Sequence, residues 1–158
     1  MQGDPEIIEV LNEILTAELT AINQYFIHAK MRSNWGFDRL AAVARKESIE
    51  EMEDADKLID RILYLDGTPN LQRYNPVRVG ETIPEQFRLE LQTETEAIER
   101  YNRAIDLARR KNDNGTRQLL NERLVDEEGH ADWLEAQLHI IDTIGAENYL
   151  AQHIHEDD

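Results

Sequence analysis

The chain has no cysteine among its 158 residues. Thiolate metal sites, thiol redox chemistry and a disulfide-stapled secreted scaffold are thereby excluded. Cross-links are not needed at this length, because one domain spanning 1–158 buries a sizeable core on its own. Glycine (7) and proline (4) are scarce, too few for a turn-rich all-β fold. Basic residues are in deficit as well: 17 Lys and Arg face 33 Asp and Glu, a formal net charge of −16. A phosphate backbone requires a basic stripe, so no nucleic-acid partner is expected, nor an anionic membrane surface. Cations are the favoured partners. No apolar run is long enough to span a bilayer, and Met1-Gln2-Gly3-Asp4-Pro5-Glu6 lacks the basic start and apolar run of a signal peptide, so a cytoplasmic location is expected.

What the chain has in abundance is helix pattern. Asp4 before Pro5 is an N-cap with proline at the first helical position, and no breaker follows until Ser33-Asn34-Trp35-Gly36. A second helix begins near Asp38 and stops at Asp66-Gly67-Thr68-Pro69. The polar stretch that follows, with Pro69, Asn75-Pro76, Gly80 and Pro84, is too interrupted for a helix and long enough to cross a bundle from end to end. A third helix is expected from about Pro84 to Lys111, a tight turn at Asn112-Asp113-Asn114-Gly115, a fourth helix from Thr116 to Gly145, and a short fifth from about Ala146 to Ile154. The expected fold class is all-α, a four-helix bundle with a long crossover between helices 2 and 3 and a short C-terminal helix.

Each long helix carries a heptad-like apolar stripe, and acids interrupt all four. The first reads Ile7, Leu11, Ile14, Glu18, Ile22, Tyr25, Ala29, and the third Phe87, Leu91, Glu94, Ile98, Tyr101, Ile105. The second reads Leu40, Ala44, Glu47, Glu51, Asp54, Leu58, Leu65, and the fourth Leu120, Leu124, Glu127, His130 with Ala131, Leu134, Leu138, Ile141. Glu18 to Glu51 and Glu94 to Glu127 are both separated by 33 residues, and Glu51/Asp54 and Glu127/His130 are both i,i+3. The chain thus reads as two copies of one unit: a helix with a single Glu, then a helix with Glu-x-x-(Asp/His). Two antiparallel pairs related by a pseudo-twofold would bring all six groups together.

An unpaired buried carboxylate protonates instead of staying charged, and five in one core repel each other. No Arg or Lys stands in the seams at these levels, so metal ions are the expected counter-charge. Carboxylate oxygens with one imidazole suit iron or manganese, and one Glu from each of two helices plus Glu-x-x-His from each of the others is the di-iron pattern of such bundles. Taken singly, any of these acids is equally well a surface residue in a chain one third charged.

Several segments together carry a family resemblance. They are Met1-Gln2-Gly3-Asp4-Pro5, Glu18-Leu19-Thr20-Ala21-Ile22-Asn23-Gln24-Tyr25-Phe26, Asn34-Trp35-Gly36, Glu47-Ser48-Ile49-Glu50-Glu51-Met52, Pro69-Asn70-Leu71-Gln72, Asp126-Glu127-Glu128-Gly129-His130, Asp132-Trp133-Leu134-Glu135 and Asn148-Tyr149-Leu150. The sequence resembles the bacterioferritins almost end to end. That resemblance implies a ferritin-like four-helix subunit in a hollow shell of about 24 copies built from twofold dimers, homomeric or completed by a second subunit type. It also implies ferroxidase activity on Fe(II), with O2 or peroxide as oxidant, storage of ferric mineral, and haem at the dimer interface.

By the same resemblance Glu18 and Glu94 are terminal iron ligands, Glu51 and Glu127 bridging carboxylates, and His130 an imidazole ligand. The family's second histidine is replaced by Asp54, which is shorter and adds a negative charge. The alternative function is therefore a haem-carrying, iron-binding shell subunit with an impaired ferroxidase site. Lys46 is a second departure: many relatives place there a histidine that holds iron on the inner wall with the acid at Glu50, whereas a protonated lysine is a poor ligand. Tyr25 either supplies an electron, as the resemblance implies, or bonds a ligand carboxylate through its hydroxyl.

Met52 follows Glu51 and points about 100° away from the seam, on a second stripe of Ile49, Met52, Ile59 and Leu63. The first helix has a matching stripe of Ile8, Leu15, Leu19 and Phe26, and both are expected to face another subunit. Pattern alone makes Met52 core filler, whereas the resemblance places it at the haem-ligating position. His28, His139, His153 and His155 have no paired spacing and are expected at the surface or a pore.

Overall fold

Asp4 caps the first helix as expected, its carboxylate accepting the Glu6 N–H at 2.8 Å, with Pro5 in the first turn. The computed structural model describes residues 1–154, and five helices account for most of them: α1 (Pro5–Asn34), α2 (Asp38–Tyr64), α3 (Ile83–Arg110), α4 (Asn114–Ile144) and α5 (Ala146–Ala151). The fold is the all-α, ferritin-like bundle of four long helices with a short fifth. Two boundaries differ from expectation. α4 starts at Asn114 because Asp113 caps it by accepting the Thr116 N–H, so the left-handed residue of the turn is Asn112 (φ 57°) and Gly115 lies in the first helical turn. α5 ends at Ala151, not near Ile154.

Side-chain pairings fix the helix directions. Tyr25 meets Glu94 while Glu18 meets Tyr101, so α1 and α3 are antiparallel. Asp54 meets Arg123 while Arg61 meets Thr116, so α2 and α4 are antiparallel. The α2–α3 linker runs along α1. Asn70 N–H bonds the Asn12 side chain, Asn75 N–H bonds Thr20 Oγ1, Gln24 Nε2 bonds the Arg78 carbonyl and Gly80 N–H bonds His28 Nε2. These anchors span α1 from residue 12 to 28, about 24 Å at 1.5 Å per residue, which makes the linker the expected long crossover. It ends tightly: a Cβ on Gly80 would stand 2.7 Å from the Gln86 backbone nitrogen.

The apolar core divides into two clusters above and below the acid level. Ile7, Leu11, Ile14, Leu15, Leu58, Ile62, Tyr101 and Leu120 fill one end. Leu40, Ile83, Phe87, Leu134 and Tyr149 fill the other. Leu15 corrects an expectation. It was assigned to the partner-facing stripe but is fully buried, because as i+4 to Leu11 it shares the core side of α1. Of the two stripes, Phe26 on α1 and Ile49, Met52 and Leu63 on α2 are exposed, Met52 at 56%, whereas Ile8, Leu19 and Ile59 are half-buried against the core. Among the described residues no helix is long and apolar enough to cross a membrane.

His28 is the second correction. It is completely buried, where a surface or pore position was expected. Gly80 N–H donates to its Nε2, so the ring proton sits on Nδ1 and meets Glu90 Oε2 at 2.5 Å. Arg32 Nη2 meets the same oxygen at 2.6 Å. His139 is exposed and His153 half-buried, while His155 lies outside the described residues.

Candidate metal centre

The acids of the seam arrive from all four long helices. Glu18 comes from α1, Glu51 and Asp54 from α2, Glu94 from α3, and Glu127 with His130 from α4. All five carboxylates are at most 4% exposed. Among the described residues, oxygen and imidazole donors within 4.8 Å of one another form three groups: Glu47, Glu50 and His130 beside the acid level, and two at that level that overlap through two carboxylates. One is Glu51, Glu94, Glu127 and His130; the other is Glu18, Glu51, Asp54 and Glu127. Glu51 and Glu127 belong to both. His130 Nδ1 lies 3.6 Å from Glu51 Oε1, 3.7 Å from Glu127 Oε2 and 3.8 Å from Glu94 Oε1.

The residues fit a cation by another measure. Glu18 Oε2, Glu51 Oε1, Glu94 Oε2, Glu127 Oε1 and His130 Nδ1 are buried and have no hydrogen-bond partner. Buried polar atoms are normally paired, so five unpaired atoms spread over the two overlapping groups mark places where cations would replace hydrogen bonds. The second oxygens of Glu94 and Glu18 are held by tyrosines. Tyr25 hydroxyl donates to Glu94 Oε1 at 2.5 Å and Tyr101 hydroxyl to Glu18 Oε1 at 2.7 Å. For Tyr25, the hydrogen bond expected of the carboxylate-bonding reading is present.

In the metal-free chain protons take over the role of counter-charge. Burial, then Glu127, pushes Glu18 up to about 8. Burial and neighbouring carboxylates raise Glu51 and Glu94 well above the usual range. Glu127 goes the other way, because the adjoining Glu94 carboxyl and the His130 imidazolium together outweigh its burial. His130 rises to about 11: burial opposes the charge, but Glu127 and Glu47 hold the imidazolium more strongly.

Asp54 is where sequence reasoning falls short. No basic residue was expected at this level, yet Arg123, with a side chain 11% exposed, pairs through Nη1 with Asp54 Oδ1. The signal was available, since Arg123 lies one turn before Glu127 at i−4 and so shares its face. Burial raises Asp54 while Arg123 pulls it back. Beyond His130, Nε2 approaches Glu47 Oε2 at 3.0 Å and Glu50 Oε2 at 3.4 Å. Lys46 lies 3.8 Å from Glu50, its side chain mostly in solvent.

Four long antiparallel helices with acids from every helix at mid-height define a ferritin-like protein, and the sequence model described as a ferritin-like domain matches residues 8–144. Narrower likeness follows from whole-chain comparison. The chain is 52% identical over 152 residues to the bacterioferritin of Mycolicibacterium paratuberculosis, covering 96% of both chains. It is 51% identical over 151 residues to that of Streptomyces coelicolor, covering 96% of this chain and 90% of the relative. The bacterioferritin of Brucella melitensis is 44% identical over 149 residues, covering 94% and 92%. The chain belongs to the bacterioferritin family.

Proposed function

We propose that the chain stores iron and is a ferroxidase, binding two Fe(II) at Glu18, Glu51, Asp54, Glu94, Glu127 and His130. The observation that carries the reading is the pair of overlapping donor groups sharing Glu51 and Glu127. Two carboxylates common to two cation positions can bridge two ions, while Glu94 with His130 closes one position and Glu18 with Asp54 the other. Each Fe(II) gives up one electron. O2 takes two electrons and two protons to become hydrogen peroxide, or peroxide takes two of each to become two waters. The chain supplies geometry and charge. Tyr25 and Tyr101 orient Glu94 and Glu18, and loading releases the protons that Glu18, Glu51 and Glu94 hold in the metal-free state.

Oligomeric assembly into a shell of about 24 copies from twofold dimers belongs to the same reading, with a ferric mineral inside. The exposed stripe of Phe26, Ile49, Met52 and Leu63 supports a twofold contact, because exposed large apolar side chains along two adjacent helices suit burial against a second copy. Haem is supported by Met52, whose accessible thioether on that stripe can meet its symmetry mate across a twofold. Met52→Ala should lose the Soret absorbance of the purified protein while the assembly elutes unchanged. Haem retained by that variant would place the ligand elsewhere.

The second reading, a shell subunit with slow oxidation, is favoured by one observation: Asp54 already carries an Arg123 partner. Anaerobic Fe(II) titration followed by air exposure separates the two, since stoichiometry and rate come from one sample. Under the ferroxidase reading the parent binds two Fe(II) per chain and oxidises them rapidly, Asp54→Ala loses chiefly one of them, and Asp54→His binds both evenly. Two bound ions that oxidise slowly in the parent establish the second reading. If Asp54→Ala binds two Fe(II) with parental affinity and rate, Asp54 is not a ligand.

A further inference from the structure

Asp54 is claimed twice. Its carboxylate belongs to a donor group with Glu18, Glu51 and Glu127, and it also pairs with Arg123 from α4. A guanidinium and a divalent ion on one carboxylate repel each other, so the two claims compete. A second carboxylate stands ready. Arg123 Nη1 is 3.2 Å from Asp126 Oδ2, three residues on, and the Asp126 side chain is 52% exposed. Arg123 Nε is buried without a hydrogen-bond partner, so the polar contacts of the guanidinium with these two acids are made through Nη1. Both acids line one groove of about 390 Å³ with Glu50, Glu53, Lys57 and His130, which leaves room for the tip to move.

We propose that Arg123 is a positioning residue for metal binding: it holds the Asp54 carboxylate in the metal-free chain and passes to Asp126 when that carboxylate turns to a metal ion. The inference rests on the reading of Asp54 as a ligand. Arg123 thereby balances a charge that an imidazole would not have brought. A histidine at position 54 would add no negative charge to the metal-free site, whereas aspartate adds one that must be balanced until the ion arrives. Arg123 lowers the affinity of the second ion by competing for its ligand, and Asp126 limits that cost by receiving the displaced guanidinium. The second ion is therefore bound more weakly and more reversibly than the first.

The test is an anaerobic Co(II) titration of the full-length assembled protein, read by the ligand-field bands of this redox-inert probe. The parent should bind a first ion tightly and a second more weakly. In Arg123→Leu the second ion should tighten by roughly tenfold, the middle of the range for coupled neighbours. In Asp126→Asn, a surface change that leaves the fold alone, the second ion should weaken several-fold and the first stay unchanged. In the double variant the Asp126→Asn effect should vanish, and Arg123→Lys should stay near the parent. A second ion no tighter in Arg123→Leu overturns the proposal, as does an Asp126→Asn effect of equal size in both backgrounds. Asp54→Ala run alongside separates the failures. An unchanged second ion in that variant removes the ligand reading and the proposal together, whereas a weakened one with an inert Arg123→Leu removes the proposal alone.

Discussion

Metal-free protein should melt at a markedly higher temperature at pH 5 than at pH 8, and Glu18→Gln should remove a large part of that difference. Glu18 titrates near 4.5 when unfolded and near 8 in the folded chain, raised first by burial and then by Glu127. Between those values the folded state holds a proton that the unfolded state has lost, so stability falls as pH rises through the window and levels off above it. The shift corresponds to roughly 5 kcal/mol for this one group, about 10 °C or more in melting temperature for a chain of this length. Glu51 and Glu94 are raised for the same reason and act in the same direction. His130 adds to the trend, since its proton is held up to about 11. Glu127, lowered, acts oppositely and loses its contribution only in acid.

The glutamine variant isolates the site from general charge repulsion, which also eases as a chain of net charge −16 approaches its pI. Its amide oxygen can still accept from Tyr101, and it carries no charge at either pH. Circular-dichroism melts of apo parent and apo Glu18→Gln at the two pH values check this. Equal slopes for the two proteins would show that Glu18 is not the strained acid. A divalent ion should reverse the parental trend, because it needs the deprotonated carboxylates that cost the metal-free fold its stability.

That conflict between fold and site explains what the sequence made legible. Four acids in four apolar seams are visible because they break a period that packing otherwise enforces, and the 33-residue repeat shows that the breaks share one level. Helix ends were legible where a local device sets them, as at Asp4-Pro5. They were less so at residues 112–115, where four residues able to cap or turn compete and hydrogen bonding to Asp113 decides. Arg123 and His28 were missed for a common reason. Each is polar on a helix rich in polar residues, and only a partner on another helix distinguishes burial from solvation. Even so, Gln24, His28 and Arg32 follow one another at i,i+4, and Gln86, Glu90 and Glu94 do the same on α3. Read together, those rows extend the acid level toward the α1 C-terminus as a polar seam of matched charge.

That upper seam yields the second large effect: Arg32→Met should cost about 3–5 kcal/mol, while Arg32→Met with Glu90→Leu should recover most of it. Arg32 is fully buried and meets Gln86 Oε1 at 2.8 Å, the Leu40 carbonyl at 3.3 Å and Glu90 Oε2 at 2.6 Å, with its guanidinium 5.0 Å from the Phe87 ring centre. It thereby ties α1 to α2 and α3, and His28 carries the same network to the linker through Gly80. Removing the guanidinium alone leaves Glu90, 1% exposed, with only the His28 ring as a hydrogen-bond partner for its charge. Breaking one half of a buried pair is expensive, but replacing both halves by apolar groups of similar volume is often neutral, because the desolvation of both charges is regained. The single variant should therefore melt roughly 10 °C lower, and the double variant within a few degrees of the parent. Glu90→Leu alone should be as damaging as Arg32→Met, since it strands the opposite charge. If both single variants melt within about 3 °C of the parent, Arg32 and Glu90 do not depend on each other, and the geometry that joins α1 to α3 above the metal level has another source.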